Sequence, residues 1–210
     1  MVDGGNSRVA VDFGDPQAEY EAALHDAAIY DARHRGLIEV TGKDRAAWLH
    51  NLVTNTVKTL RPGDGNYAFA TNAKGRILFD CNILVLPDAI WLDVGRQGVP
   101  KALAHLEHYH IAEDVQLVDR SDAFCRVALL GPRAADIMGA LGATHAGRLP
   151  SLASSLVTLE GKSRFMVRHD FAGVLGLELY IEPADAAACW TRLLDLDCRS
   201  ASCEREEPRA

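Results

Sequence analysis

Asn66-Tyr67-Ala68-Phe69-Ala70-Thr71-Asn72-Ala73-Lys74-Gly75-Arg76-Ile77-Leu78-Phe79-Asp80-Cys81-Asn82-Ile83-Leu84-Val85-Leu86 decides how this chain folds. Two apolar, β-favouring runs flank the polar tetrad 72–75, the pattern of a β-hairpin. A turn symmetric about Ala73 and Lys74 pairs Tyr67 with Asp80 and Phe69 with Leu78. Side chains alternate along a strand, so Leu78, Asp80, Asn82 and Leu84 share one face. Ile77, Phe79, Cys81, Ile83 and Val85 share the other, which must be core. The first face has two readings. It is either ordinary polar alternation on a wetted sheet or the polar spot in the wall of a small-molecule pocket.

The rest of the chain sets bounds. With 210 residues, 48% hydrophobic and 24% charged, it is long enough for one large domain or two small ones. A formal charge of −7 argues against nucleic acid or an anionic membrane as the main partner. No run approaches the roughly 18 apolar residues a membrane span needs. Met1-Val2-Asp3-Gly4-Gly5-Asn6 lacks the features of a signal peptide, so the expected location is cytoplasmic. Cys81, Cys125, Cys189, Cys198 and Cys203 are scattered and include no C-x-x-C. They read as reduced thiols rather than a disulfide framework or a zinc site, and no metal is expected. The late trio Cys189, Cys198 and Cys203 is spaced too widely for a thiolate cluster site.

Outward from the hairpin, the pattern predicts a helix over 18–30, a strand over 36–42 and a helix over 45–53 capped by Asp44. A strand over 90–94, a helix over 99–109 with Pro100 in its first turn and a strand over 111–118 follow. The polar stretch 119–122 is the boundary. Beyond it a second unit runs strand 125–130, helix 134–141, strands 155–159, 164–168 and 176–181, then helix 184–194. The order β-α-β-β-β-α is a split βαβ sandwich without its last strand. The expected fold class is α+β, two ferredoxin-like split βαβ units with antiparallel sheets, over 16–120 and 121–198. Residues 1–15 and 199–210 are expected to be loose tails, the latter too polar for a core strand.

Val40-Thr41-Gly42-Lys43-Asp44, Leu52-Val53-Thr54-Asn55-Thr56-Val57, Leu60-Arg61-Pro62-Gly63, Tyr67 and Asn72-Ala73-Lys74-Gly75-Arg76-Ile77 resemble, in order and spacing, the folate-binding glycine-cleavage T-protein (aminomethyltransferase) superfamily. His105-Leu106-Glu107-His108-Tyr109-His110-Ile111-Ala112-Glu113-Asp114-Val115 resembles its YgfZ-type iron–sulfur assembly branch. Leu129-Leu130-Gly131-Pro132-Arg133-Ala134-Ala135 and Gly176-Leu177-Glu178-Leu179-Tyr180-Ile181 fit the second unit. The resemblance implies a tetrahydrofolate pocket between two related units. Asp80 matches the family acid that assists one-carbon transfer, and is the candidate catalytic residue. Tyr67 matches a family tyrosine near the ligand. Asn82, on the Asp80 face, and Glu178, mid-strand, are the further candidates for holding the cofactor.

Departures from the family pattern are equally specific. Phe79 stands where T-proteins tend to carry the first of two acids, as in YgfZ-type relatives. Ala172-Gly173-Val174 replaces the Thr-Gly-Glu whose acid holds the pterin, and Gly95 replaces an asparagine. The arginine-bearing segment, the Lys-Gly-Cys-Tyr-x-Gly-Gln-Glu motif and the C-terminal barrel are not expected in this chain. The resemblance thus implies a YgfZ-like tetrahydrofolate-binding auxiliary or iron–sulfur maturation factor, with reduced folate and an iron–sulfur client protein as partners. Two alternatives are a folate-dependent aminomethyl or methyl transferase, and a degenerate paralogue serving as an interaction module. The sheet edge of such a module would pair with a partner or form a homodimer.

His105, His108 and His110 could place two imidazoles on one helix face, without an obvious third ligand. Trp48, Trp91 and Trp190 read as core. No Gly-x-Ser-x-Gly, P-loop or Gly-x-Gly-x-x-Gly after a strand is present, so hydrolase, phosphoryl-transfer and dinucleotide readings lack support.

Overall fold

The computed structural model describes residues 2–3, 8–9, 14–159, 161–196 and 198–201. Val2–Asp3 (β1) and Arg8–Val9 (β2) form a short antiparallel ladder. Helix α1, Pro16–His25, starts with the Asp15 carboxylate accepting the Ala18 N–H at 3.1 Å and with Pro16 in its first turn. The predicted continuation to residue 30 fails. Ala28–Asp31 is instead a strand, β3, whose first three residues are buried. Its place inside a sheet outweighs the helix preference of the alanine-rich run.

The next elements build the first sheet. They are β4 (Arg35–Thr41), α2 (Arg45–His50), β5 (Gly65–Thr71), β6 (Ile77–Val85), β7 (Ile90–Gly95), α3 (Val99–His108) and β8 (Gln116–Asp119). Asp44 does not cap α2. Its Oδ2 accepts the Asp114 N–H at 2.9 Å, tying the loop before β8 to the helix start. Residues 111–115 were expected in a strand, but Glu113 turns the chain there by accepting the N–H groups of Ile111 and Ala112. The strand order is β5-β6-β7-β4-β8, antiparallel throughout. One face packs on α2 and α3 through Trp48, Leu49, Ala102 and Leu106.

The remaining elements are β9 (Cys125–Leu130), α4 (Ala134–Ala140), β10 (Ser154–Leu159), β11 (Lys162–Arg168), β12 (Gly176–Ile181), α5 (Pro183–Leu194) and β13 (Arg199–Ala201). The second sheet has the order β10-β11-β12-β9-β3-β13. Two expectations are corrected here. Strand β3, placed by sequence with the first unit, lies next to β9 in the second sheet. The last strand, thought missing, is β13, parallel to β3 over three residues at the sheet edge. A strand at an edge can pair on one side without a continuous apolar run. Among the described residues there is no closed barrel, and no helix is long and apolar enough to cross a membrane.

The two sheets meet through Leu37, Leu84, Trp91, Val167 and Tyr180. The Trp91 ring lies 4.8 Å from Phe165 and 5.4 Å from Tyr180. Edge-to-face and tilted contacts of this kind add to simple area burial.

The deciding hairpin forms with a shifted register. Tyr67 faces Asn82 and Phe69 faces Asp80, two positions from the symmetric expectation. Thr71 pairs with Ile77 and Ala70 with Phe79, so Leu78 is bulged out. The turn is also wider: Asn72 N–H donates to the Arg76 carbonyl, and the Asn72 side chain accepts from the Lys74 and Arg76 N–H groups. Gly75 takes φ +74 to close it. Beyond the bulge the alternation holds, and Phe79, Cys81, Ile83 and Val85 are core. Ile77, before the bulge, is 59% exposed rather than core.

Candidate functional site

Along β6 the second face passes from apolar to polar. Leu84 joins the contact between the sheets, Asn82 is buried beside it, and Asp80 is partly open. Where the sheets part, a cavity of about 350 Å³ opens. Tyr67, Asp80 and Asn82 line it from the first sheet; His169, Asp170 and Phe171 line it from the loop after β11. Arg35, Ser151 and Leu152 complete the wall. The polar face is therefore a pocket wall and not simply a wetted sheet.

Tyr67 donates its hydroxyl hydrogen to Asp80 Oδ2 at 2.9 Å, a diagonal contact across the strand pair. The Tyr67 ring stands edge-on to Phe69 at 5.1 Å. Partial burial, then the Asp80 carboxylate, push the phenol above its ordinary pKa, so it stays a donor at neutral pH.

Behind the wall lies a buried ionic network. Asp93 accepts from Arg35 Nε at 2.9 Å, from Asn82 Nδ2 at 2.8 Å and from Arg126 Nη1. Glu178 accepts from Arg126 Nη2 and bonds His169 Nδ1 at 2.7 Å. Asp93, Arg126 and Glu178 are 1%, 4% and 3% exposed, so their charges compensate one another out of water. Burial by itself would raise both carboxyls. The guanidiniums of Arg126 and Arg35 outweigh it and hold Asp93 well below the usual carboxylate range. Arg126 and the His169 bond lower Glu178 in the same way. The Arg126 guanidinium also sits 4.8 Å from the Tyr180 ring centre. On the core face of β6, burial, reinforced by Asp93 and Asp80, pushes the Cys81 thiol up to about 12.

Three of the expected site residues, Tyr67, Asp80 and Asn82, come together on one wall. Glu178 does not line the cavity; it stands one layer back and reaches it through His169. Arg35, Asp93, Arg126 and His169 were missed. Asp93 and Arg126 left a signal, each being a charge inside an otherwise apolar strand run. Val174, where the resemblance leads one to expect a carboxylate, packs against the cluster of Tyr30, Ala32, Ala128 and Leu130 and is not part of the cavity lining.

Asp93, His169 and Glu178 place one ligand-type atom each within 4.8 Å of one another. They do not fit a metal, because Arg126 already bridges the two carboxylates as their cation. The histidines in and just after α3 are spent on local contacts. His105 meets Phe79 and Tyr109, His108 meets Tyr109, and His110 Nε2 lies 2.9 Å from the Glu113 carbonyl. Trp48 and Trp91 are buried, and Trp190 packs partly buried on the second core. No disulfide joins Cys81, Cys125, Cys189 or Cys198 among the described residues, and Cys203 lies outside them.

Residues 1–200 match the family described as GCVT N-terminal domain. The aminomethyltransferase of Alkaliphilus oremlandii is 29% identical over 198 residues, 93% of this chain and 54% of that protein. The probable aminomethyltransferase of Natronomonas pharaonis is 30% identical over 205 residues, covering 95% and 56%. The chain thus spans about half the length of the curated relatives it matches. Among solved structures, the glycine cleavage system aminomethyltransferase T from Bartonella henselae superposes with TM-score 0.78 at 22% identity, over 88% of this chain and 50% of that one. A chain of the heterotetrameric sarcosine oxidase from Corynebacterium sp. U-96 superposes at 0.62 with 16% identity, over 86% and 89%. Both structural likenesses speak for the fold, while the match over most of the sequence speaks for descent: this chain belongs to the GCVT N-terminal domain family.

Proposed function

We propose that this chain binds reduced folate in the cavity between the Tyr67–Asp80 wall and the His169–Phe171 loop, as the folate-binding unit of an aminomethyltransferase-type one-carbon transferase. The observation that carries this is the Tyr67–Asp80 hydrogen bond on the wall of a cavity whose other side presents Phe171. A reduced pterin is flat and carries ring N–H donors, which suit a carboxylate and aromatic faces. About 350 Å³ is within the range of small-molecule pockets. Bound folate would supply the nitrogen that accepts a one-carbon unit. Asp80 would be the residue that orients it and polarises that nitrogen. Asn82, fixed by Asp93, would supply an amide to the ring edge.

A second reading is favoured by Val174, which leaves the pterin without the acid that T-proteins use, and by Phe79, which fills core in place of a first acid. It makes the chain a YgfZ-like auxiliary factor that binds folate without transferring from it, working on an iron–sulfur client protein. Affinity would then be micromolar or weaker, about 8 kcal/mol or less.

Calorimetric titration of 5-formyltetrahydrofolate into wild type and Asp80→Ala tests the shared claim. A loss of at least tenfold, about 1.4 kcal/mol, is expected in the variant. No binding to folded wild type would overturn it. A one-carbon transfer assay with tetrahydrofolate as acceptor then separates the two readings.

A further inference from the structure

His169 is positioned from both sides of its loop. Its N–H donates to the Gly176 carbonyl at 2.8 Å. The return strand passes so close that a Cβ on Gly176 would meet the His169 carbonyl oxygen at 2.1 Å. Asp170 locks the loop, accepting the Gly176 N–H at 3.0 Å and the Arg168 Nε–H at 3.0 Å. These bonds hold the backbone that carries the imidazole, and the Glu178 carboxylate sets the direction of the ring.

That direction has a chemical consequence. Nδ1 lies 2.7 Å from Glu178 Oε1, and the other Glu178 oxygen is taken by Arg126. Burial would raise the Glu178 carboxyl, but the guanidinium lowers it below the usual range, so it is ionised and can only accept. Nδ1 is therefore the donor, and in the neutral ring Nε2 carries a bare lone pair. Nε2 lies 3.5 Å from the Asn82 amide nitrogen, a long contact in which its lone pair can accept the N–H that Asn82 does not give to Asp93. The carboxylate is sealed, with 4% of its side chain exposed, whereas 20% of the His169 side chain is open on the cavity side. An acid that orients an imidazole whose far nitrogen faces a ligand space is the arrangement of an acid–base pair.

We propose that His169, oriented by Glu178, is the proton-exchanging group of this cavity. It trades a proton with a basic nitrogen of the bound ligand; that the ligand is a reduced folate rests on the reading above. The N–H bond on the ligand breaks with its electron pair left on that nitrogen, and an N–H bond forms at Nε2. The imidazolium so formed pairs with Glu178. Return of the proton regenerates the neutral ring. Fixed charges packed around the ring cancel: Arg35 and Arg126 against Asp93 and Glu178. Asp80 and Asp170 are the further carboxylates on the cavity wall, and Tyr67 is the phenol.

The test has a part without ligand and a part with it. Long-range ¹H–¹⁵N spectra of histidine-labelled protein read the His169 tautomer directly. Bare Nε2 with protonated Nδ1 in the neutral ring is expected; Nε2–H would overturn the proposal. Calorimetry with tetrahydrofolate, whose N5 is unacylated, in buffers of different ionisation enthalpy, over roughly pH 5.5–8.5, then counts the protons the complex takes from or releases to buffer. His169→Asn keeps a donor for Glu178 but cannot titrate. The expected result is pH-dependent proton exchange in wild type that is lost in the variant. Equal proton counts would overturn the proposal. Folded wild type that shows bare Nε2 yet binds no folate would refute the folate reading and the ligand assigned to His169, while supporting the base assignment.

Discussion

Replacing Arg126 by Met removes a guanidinium that touches both Asp93 and Glu178 at sites closed to water. Charges about 4 Å apart attract by roughly 4 kcal/mol at an effective dielectric near 20. In wild type that attraction is largely offset by the desolvation of the three groups, so the intact network adds little net stability. Taking one partner away is different. The ligating oxygens of Asp93 and Glu178 lie within 4.8 Å of each other, and two such charges repel by on the order of 3 kcal/mol at the same dielectric. Arg35 still compensates Asp93, so Glu178 is the group left without its cation. A loss of about 3–5 kcal/mol is expected, or a drop in Tm of about 6–20 °C at roughly 2–4 °C per kcal/mol.

The pH dependence fixes the sign. In wild type both carboxyls are held below their unfolded values. The stability they contribute is present above the ordinary carboxylate range, about pH 4, and is lost as pH falls through their folded values. In Arg126→Met the stranded carboxyl binds a proton more tightly folded than unfolded. Stability of the variant then falls with rising pH, by up to about 1.4 kcal/mol per unit. Urea unfolding at about pH 5 and about pH 8 should show the larger deficit at the higher pH. A deficit below about 1 kcal/mol at neutral pH, or one that is equal at both, would refute the argument that these charges are buried and mutually compensated.

Other outcomes follow from single features. Cys81, its thiol pushed up to about 12 by burial, should resist iodoacetamide at pH 8 in the native state and react only on unfolding; mass spectrometry of the alkylated peptide checks this. Gly176→Ala, whose methyl would meet backbone at 2.1 Å, should cost several times more than Gly75→Ala, which has open space and only the positive φ to pay for; about 1 kcal/mol is expected for the latter, by thermal unfolding. Tyr67→Phe removes the bond to Asp80 at a half-open site and should change stability by under about 1 kcal/mol, while weakening 5-formyltetrahydrofolate in calorimetry. An unchanged affinity would place the ligand away from this wall.

Which parts of this architecture can be read from residues alone depends on the range of the interactions that decide them. The hairpin and its two faces are local, and alternation from Phe79 to Val85 suffices to put Asp80 and Asn82 together. The register is not local: a one-residue bulge at Leu78 leaves Phe79 in the core, as alternation expects, but shifts the pairing by two and turns Ile77 out to solvent. Ala28-Ile29-Tyr30 reads as helix because alanine favours it, yet a buried slot beside β9, a hundred residues on, decides for strand. Asp93 and Arg126 stand out as charges in apolar runs, but their pairing joins two different sheets. His169 has no local signature at all. Its role appears only once Gly176 brings the return strand against it.

The interior place of β3 also governs the order of events during synthesis. Ala28–Asp31 is made well before β9, its antiparallel neighbour, which lies about a hundred residues downstream, and before β13, which comes still later. At about 5–20 residues per second the strand waits on the order of 5–20 s for a partner. The first sheet, drawn from the residues between, can close in that interval, so the second sheet is a clasp whose two halves are made before and after it. An apolar strand kept waiting is a point of vulnerability. Chaperone dependence should accordingly map to the segment around Ile29 rather than to the hairpin that organises the pocket.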